Sequence, residues 1–181
     1  MIDILCKRNL IYGDCDFILN HIGDDFVVIS VGDYHRGHLL DCYMLDTDIY
    51  FIPAYNTRQF STAVEKAMDT GKAIVVYRPD RLFRFKDFPR FNNIMLRLLI
   101  HYDNMVIILT GEIDSRNFPP PPMAPHFVRH LCDVVAYVRR GLNAHVFYIL
   151  KHPTLPYCRV SVRRLYGEEL PELPDILKKA N

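Results

Sequence analysis

Between an apolar run and a helix-like stretch the chain reads Gly32-Asp33-Tyr34-His35-Arg36-Gly37-His38-Leu39. Two glycines five apart at a strand-to-helix junction are where backbone N–H groups and a helix dipole can cradle phosphate. A working loop of that kind carries Lys and then Ser or Thr after the second glycine, to reach the phosphates and to hold Mg2+. Here those places hold His38 and Leu39. Leucine has no oxygen for a metal, and an ordinary histidine is mostly neutral at pH 7. Losing two charge-assisted contacts of about 1.5–3 kcal/mol each weakens binding by roughly 10²–10⁴. The cofactor-binding candidates Gly32, Gly37, His38 and Leu39 therefore describe a degenerate phosphate loop, with ATP and Mg2+ expected to bind weakly or not at all. Two spaced glycines alone read more readily as an ordinary strand–turn–helix junction.

A second constellation lies within Arg78–Phe91, where Arg81, Arg84, Lys86 and Arg90 interleave with Phe83, Phe85, Phe88 and Phe91. Cations that neutralise phosphates beside rings that stack on bases suit single-stranded nucleic acid. The same residues also fit a core or interface face with a basic rim. The eight histidines invite a metal reading, but His35 and His38 are the only close pair expected to project from one junction. His126 and His130 fall four apart if their stretch is helical, and a structural or partner contact is the expectation there. No metal site is expected, and no Gly-x-Ser-x-Gly or Cys/His dyad points to a catalytic nucleophile.

The elements that must position these residues alternate. Asp25–Val31, Asp48–Ile52, Lys72–Tyr77 and Asn104–Thr110 are apolar runs of strand length, the second ended by Pro53. Gly37–Leu45, Gln59–Asp69 and Phe91–His101 read as helices between and after them. Strands that are apolar throughout and separated by helices predict a parallel sheet covered on both faces. In the last third, Val134–Val138, Ala144–Leu150 and Cys158–Val162 leave no room for crossover helices and predict antiparallel hairpins added at the sheet edge. Leu170–Lys179 reads as a terminal helix or tail. The proline-rich Asn117–Pro125 is excluded from helix and central strand and is expected to be polyproline-like.

The chain has 181 residues, 22 Lys+Arg against 21 Asp+Glu, and half of its residues are hydrophobic. That is one domain's worth of chain, 1–181, and the opposite of a disordered composition. No apolar run reaches the ~18 residues needed to span a bilayer, and Met1–Asn20 lacks a secretory pattern, so a cytoplasmic location is expected. The five cysteines show no CxxC spacing, which indicates neither a zinc site nor a closed disulfide framework and leaves a single disulfide open. The near-neutral net charge hides an asymmetry. Residues 1–57 carry nine acids and three bases, residues 78–97 six bases and two acids, and residues 126–166 seven bases and one acid. Such a split can make a positive face capable of meeting phosphate.

Taken in order, these pieces resemble the core ATPase domain of the RecA/RadA recombinases, most of all archaeal RadA and its paralogues. Ile11-Tyr12-Gly13-Asp14 through Leu19 is similar to the family's "ISTG…LDELL", Gly32–Leu39 falls on its phosphate loop, and Ala54-Tyr55-Asn56-Thr57 resembles "TENT". Lys72–Tyr77 falls on the second metal-site strand and Ile107–Gly111 on the strand ending in the sensor "NQ". Ala124–Gly141 (APHFVRHLCDVVAYVRRG) is similar to "GGHILAHASTYRVYLRKG", with His130 on a family histidine, and Lys151–Pro156 to "DSPHLP". The match spans about residues 8–165.

The resemblance implies a RecA-like P-loop fold and a role in homologous recombination or DNA repair. The departures imply lost chemistry. Tyr55 stands where the family's water-positioning Glu would be, Tyr77 or Arg78 where its metal-site Asp would be, and Thr110-Gly111 where "NQ" would be. Phosphoryl transfer depends almost entirely on such positioning and electrostatic groups. The expectation is therefore a pseudo-ATPase without catalytic residues, an accessory partner of a RadA-type recombinase or another RecA-fold paralogue. Self-association and direct DNA binding stay open. Nucleic-acid candidates are Arg81, Arg84, Phe85, Lys86, Arg90 and Arg116, and partner-contact candidates are Arg129, Pro120 and Pro121. The family's second DNA loop corresponds to Gly111–Pro125, whose prolines suit a rigid ridge for a protein. Phe60-Ser61-Thr62-Ala63 spells the family's FxxA docking pattern, but inside a helix, where core packing explains it. The match leaves about ten residues before it, so the family's N-terminal DNA-binding domain is not expected. A protein-interaction scaffold without DNA contact, and a nucleotide sensor in which Arg36 and His38 replace the missing lysine, are the alternatives.

Overall fold

The computed structural model describes residues 5–22, 25–32, 50–82 and 88–163. His35, the Gly37–Leu45 stretch with His38 and Leu39, Phe83, Arg84, Phe85 and Lys86, and Leu170–Lys179 lie outside them.

Eight strands form one sheet: β1 (Arg8–Gly13), β2 (Phe26–Val31), β3 (Tyr50–Ala54), β4 (Ala73–Tyr77), β5 (Val106–Thr110), β6 (Val134–Arg140), β7 (Ala144–Lys151) and β8 (Cys158–Arg163). Their spatial order is β3-β2-β4-β5-β1-β6-β7-β8. β3 through β6 in that order pair in parallel, and β7 and β8 follow antiparallel. The strands are buried on both faces because their apolar residues alternate between two cores. Val27, Ile29 and Val31 of β2 face one core with Leu10 and Val76, while Val28 faces the other with Ile11 and Val75.

Three helices are described: α1 (Thr57–Asp69), α2 (Phe88–His101) and α3 (His126–Leu131). Asn56 caps α1 by accepting from the Gln59 N–H at 2.9 Å, and the Gln59 side chain reaches back to the Tyr55 N–H at 2.9 Å. This reciprocal arrangement satisfies N–H groups that a helix start leaves unpaired. Phe60 of α1 stacks on Phe91 of α2 with ring centroids 5.4 Å apart, and both are fully buried. Phe60 of the FxxA-like pattern is thus a core residue, as the helical setting of that pattern predicts. No described helix is long and apolar enough to cross a membrane, and Cys15, Cys132 and Cys158 are free thiols.

Two expectations need correcting, and one strand escapes the sequence pattern. β1 is the internal strand that joins the two halves of the sheet, but Arg8 and Asn9 interrupt its apolar run. Both are buried, and they satisfy backbone carbonyls: Arg8 donates to Leu99 (2.7 Å), Asn104 (2.7 Å) and Tyr102, and Asn9 to Cys6 (2.6 Å) and Val106 (3.2 Å). β3 runs through Pro53 rather than ending at it, because β3 is an edge strand where a missing N–H costs no ladder bond. Finally, β6 joins the sheet parallel to β1, and only β7 and β8 form the antiparallel extension.

Candidate functional site

In an open parallel sheet, ligands meet the carboxyl ends of the strands where the strand order reverses. Here β2 leads to β3 on one side and neighbours β4 on the other. Gly32 closes β2 at φ +84° and donates to the Ala54 carbonyl at 2.9 Å. A Cβ on Gly32 would stand 2.9 Å from Arg81 Cδ and 3.3 Å from its Nη1. The Arg81 side chain therefore packs directly against Gly32 at the end of β2.

Arg78 follows β4 at φ +56°, with its N–H held by the Leu109 carbonyl at 2.8 Å. Its Nη2 pairs with Asp80 Oδ2 at 3.0 Å, and Asp80 is buried. The Thr110 hydroxyl, at the end of β5, lies 3.0 Å from Asp80 Oδ1 and 2.8 Å from the Met123 carbonyl, with one proton to share between them. A Cβ on Gly111 would sit 3.0 Å from Arg78 Nη2 and 3.4 Å from Cζ. The bare glycine is what admits the guanidinium. Burial would lower the Arg78 pKa, but the carboxylates of Asp80 and Asp16, with Tyr77 and Cys15, outweigh it and raise it. Burial pushes the neighbouring Cys15 thiol well above its ordinary value.

Arg78, Asp80, Thr110 and Gly111 thus meet in one packed unit at the ends of β4 and β5. Both Asp80 oxygens are engaged within it, and a guanidinium fills the space between the β4 and β5 ends. That donor set does not fit Mg2+ or Ca2+, hard cations that need open oxygen ligands.

From Thr110 a row of residues crosses the sheet in register: Thr110 pairs with Tyr12, Tyr12 with Tyr137, Tyr137 with Tyr148, and Tyr148 with Arg159. Tyr12 and Tyr137 have ring centroids 5.3 Å apart, and the Arg159 guanidinium lies 5.9 Å above the Tyr148 ring. Phe118 meets Tyr148 edge-on at 5.0 Å and Tyr137 at 5.8 Å. Such edge-to-face contacts add to burial energy. Single-sequence reading misses this row, along with Asp80, because it exists only in the pairing of distant strands.

The remaining predicted residues scatter. Arg90 is exposed in the first turn of α2, Arg116 is exposed in the loop after β5, and Arg129 is exposed on α3. The proline segment is closed by an antiparallel bridge between Glu112 and Pro122, with the Ile113 N–H donating to the Pro121 carbonyl at 2.8 Å. Pro120 is buried, and Pro121 is half-buried. The exposed apolar groups of this loop are Ile113, Phe118 and Met123. Cys6 Sγ lies 3.8 Å from His152 Nε2, but His152 Nδ1 accepts from the N–H groups of Thr154 (3.1 Å) and Leu155 (3.0 Å). That places the ring proton on Nε2, so His152 cannot act as a base toward the thiol.

No protein-family model matches the chain, and no curated protein does. Solved structures do. A DnaB-like replicative helicase, described with its interactions with primase, superposes with a TM-score of 0.60 at 10% identity, over 91% of this chain and 57% of the helicase chain. The chain thus spans little more than half of that relative. The RadB recombinase gives 0.56 at 12% identity, covering 88% of both chains. A third solved structure, an isolated ATPase domain, gives 0.56 at 13% identity, over 88% of this chain and 82% of that domain. The chain has a RecA-like fold: a mostly parallel sheet with an antiparallel C-terminal extension.

Proposed function

We propose that this chain is a catalytically inactive, RadA-like accessory protein of homologous recombination or DNA repair. It acts by binding a recombinase or another RecA-fold paralogue, with single-stranded DNA as a further ligand. The observation that carries this reading is the Arg78–Asp80–Thr110–Gly111 unit. It puts a fixed internal cation at the strand ends where a RecA-like ATPase would use a metal and a sensor. Tyr55, His38 and Leu39, read from the sequence, remove the remaining positioning groups. A fold can persist after its chemistry is gone.

One observation favours a second reading, a protein-interaction scaffold without DNA contact. Ile113, Phe118 and Met123 expose apolar surface on a single loop closed by backbone hydrogen bonds. Co-purification of a partner by a chain that shifts no DNA would select that reading. The test of the main proposal is steady-state ATP hydrolysis by the pure chain, with and without single-stranded DNA. No turnover above a protein-free blank is expected. Mg-dependent turnover that disappears on changing Gly37 or His38 would overturn it.

A further inference from the structure

We propose that His126 and His130 form a surface chelate for a divalent transition metal of the Zn2+ type, independent of the strand-end site. Their Nε2 atoms stand 3.3 Å apart, both side chains are exposed, and the rings meet at 67° with centroids 4.3 Å apart. Two imidazole nitrogens bound at 2.0–2.1 Å and a tetrahedral angle are separated by about 3.3–3.4 Å. The Nε2 separation matches the bite of a tetrahedral ion, and the rings, now with centroids 4.3 Å apart, swing outward to about 5 Å for both lone pairs to converge on it. Without metal, this approach is a hydrogen bond in which one ring donates its Nε2 proton to the other. On binding, the donor ring carries its proton on Nδ1 instead, so both Nε2 lone pairs face the ion and no net proton is lost.

The spacing is fixed from below. A six-residue helix is too short to persist alone, but α3 buries Val128 and packs Phe127 and Leu131 against the core. The Lys151 ammonium donates to the carbonyls of Arg129 (3.4 Å), His130 (2.9 Å) and Cys132 (2.5 Å), closing the end of the helix. Backbone held in this way preorganises the two rings. Among the described residues no third His, Cys, Asp or Glu gathers with them. The other coordination positions are therefore open to water or to another chain, and Arg129 and Lys151 temper the affinity for a dication. Imidazole donors favour Zn2+, Ni2+ or Cu2+ over Mg2+ or Ca2+.

The test is a titration of the full, chelator-stripped chain with Zn2+ against a chromophoric competitor, with Mg2+ as the hard-cation control. One Zn2+ should bind, and H126N and H130N should each lower its affinity at least about tenfold. The H35N/H38N double variant should bind as the parent does. Zn2+ affinity unchanged in both H126N and H130N, or lost only in H35N/H38N, would overturn the proposal. Should either single variant fail to fold, the parent's imidazole NMR signals decide. Zn2+ must perturb the His126 and His130 rings together, and perturbation of other rings alone would contradict the site.

Discussion

The Arg78 guanidinium meets the Asp80 carboxylate at 3.0 Å, with 3% of the Asp80 side chain exposed to solvent. Removing one partner of a buried pair leaves an uncompensated charge, which costs about 3–5 kcal/mol. Arg78→Met should therefore lower stability by that order in urea denaturation. Arg78→Met combined with Asp80→Leu should recover most of the deficit. A single variant as stable as the parent would show that the pair holds nothing in place.

Alkaline unfolding should be early and steep. Burial, reinforced by neighbouring acidic groups, pushes Tyr12 and Tyr137 up to about 12, and burial pushes Cys132 up to about 12. These are acids whose folded pKa exceeds the unfolded value of 10.0 for tyrosine and 9.0 for cysteine. Their contribution is complete below the unfolded values and is lost as pH rises toward 12. Denaturation at pH 8, 10 and 11 should show the decline, and Tyr12→Phe should make it shallower. Stability that stays flat to pH 11 would contradict the burial argument.

Phe60 should behave as core rather than as a docking anchor. Phe60→Ala removes a fully buried ring stacked on Phe91 and should cost about 3–5 kcal/mol. For a chain of this size that is a fall of roughly 6–20 °C in Tm. Unchanged melting with abolished partner binding would reverse the assignment.

Replacing Arg81, Arg84 and Lys86 together should weaken single-stranded DNA binding and flatten its salt dependence. Each phosphate that is no longer neutralised takes about 0.7 off the slope of log K against log salt, so three take off about 2. Because the Arg81 side chain lies across Gly32, its own share should be the smallest. An unchanged slope would assign these residues to the fold or to a protein interface.

The strands and helices with strong apolar periodicity were legible in the sequence, and α1, α2, β2, β4 and β5 fall where their patterns put them. β1 was not, because Arg8 and Asn9 interrupt the pattern for a tertiary reason, the carbonyls left open where α2 ends and β5 begins. The site was half legible. Motif positions identify Arg78, Thr110 and Gly111 as departures, but each reads as a separate loss. Their meeting around Asp80 depends on the β4–β5 pairing and on Gly111 leaving room for a guanidinium. The tyrosine row from Tyr12 to Tyr148 is a matter of register between strands, and no local period announces it.

The most direct test of the central claim is the binding of fluorescent ATP and of labelled single-stranded DNA to the pure chain, in parallel over a salt series. The proposal predicts no nucleotide binding together with salt-sensitive DNA binding. Binding of neither would leave the partner-dependent scaffold. Micromolar binding of Mg·ATP would contradict the reading of Gly32–Leu39 and of the Arg78–Asp80 unit.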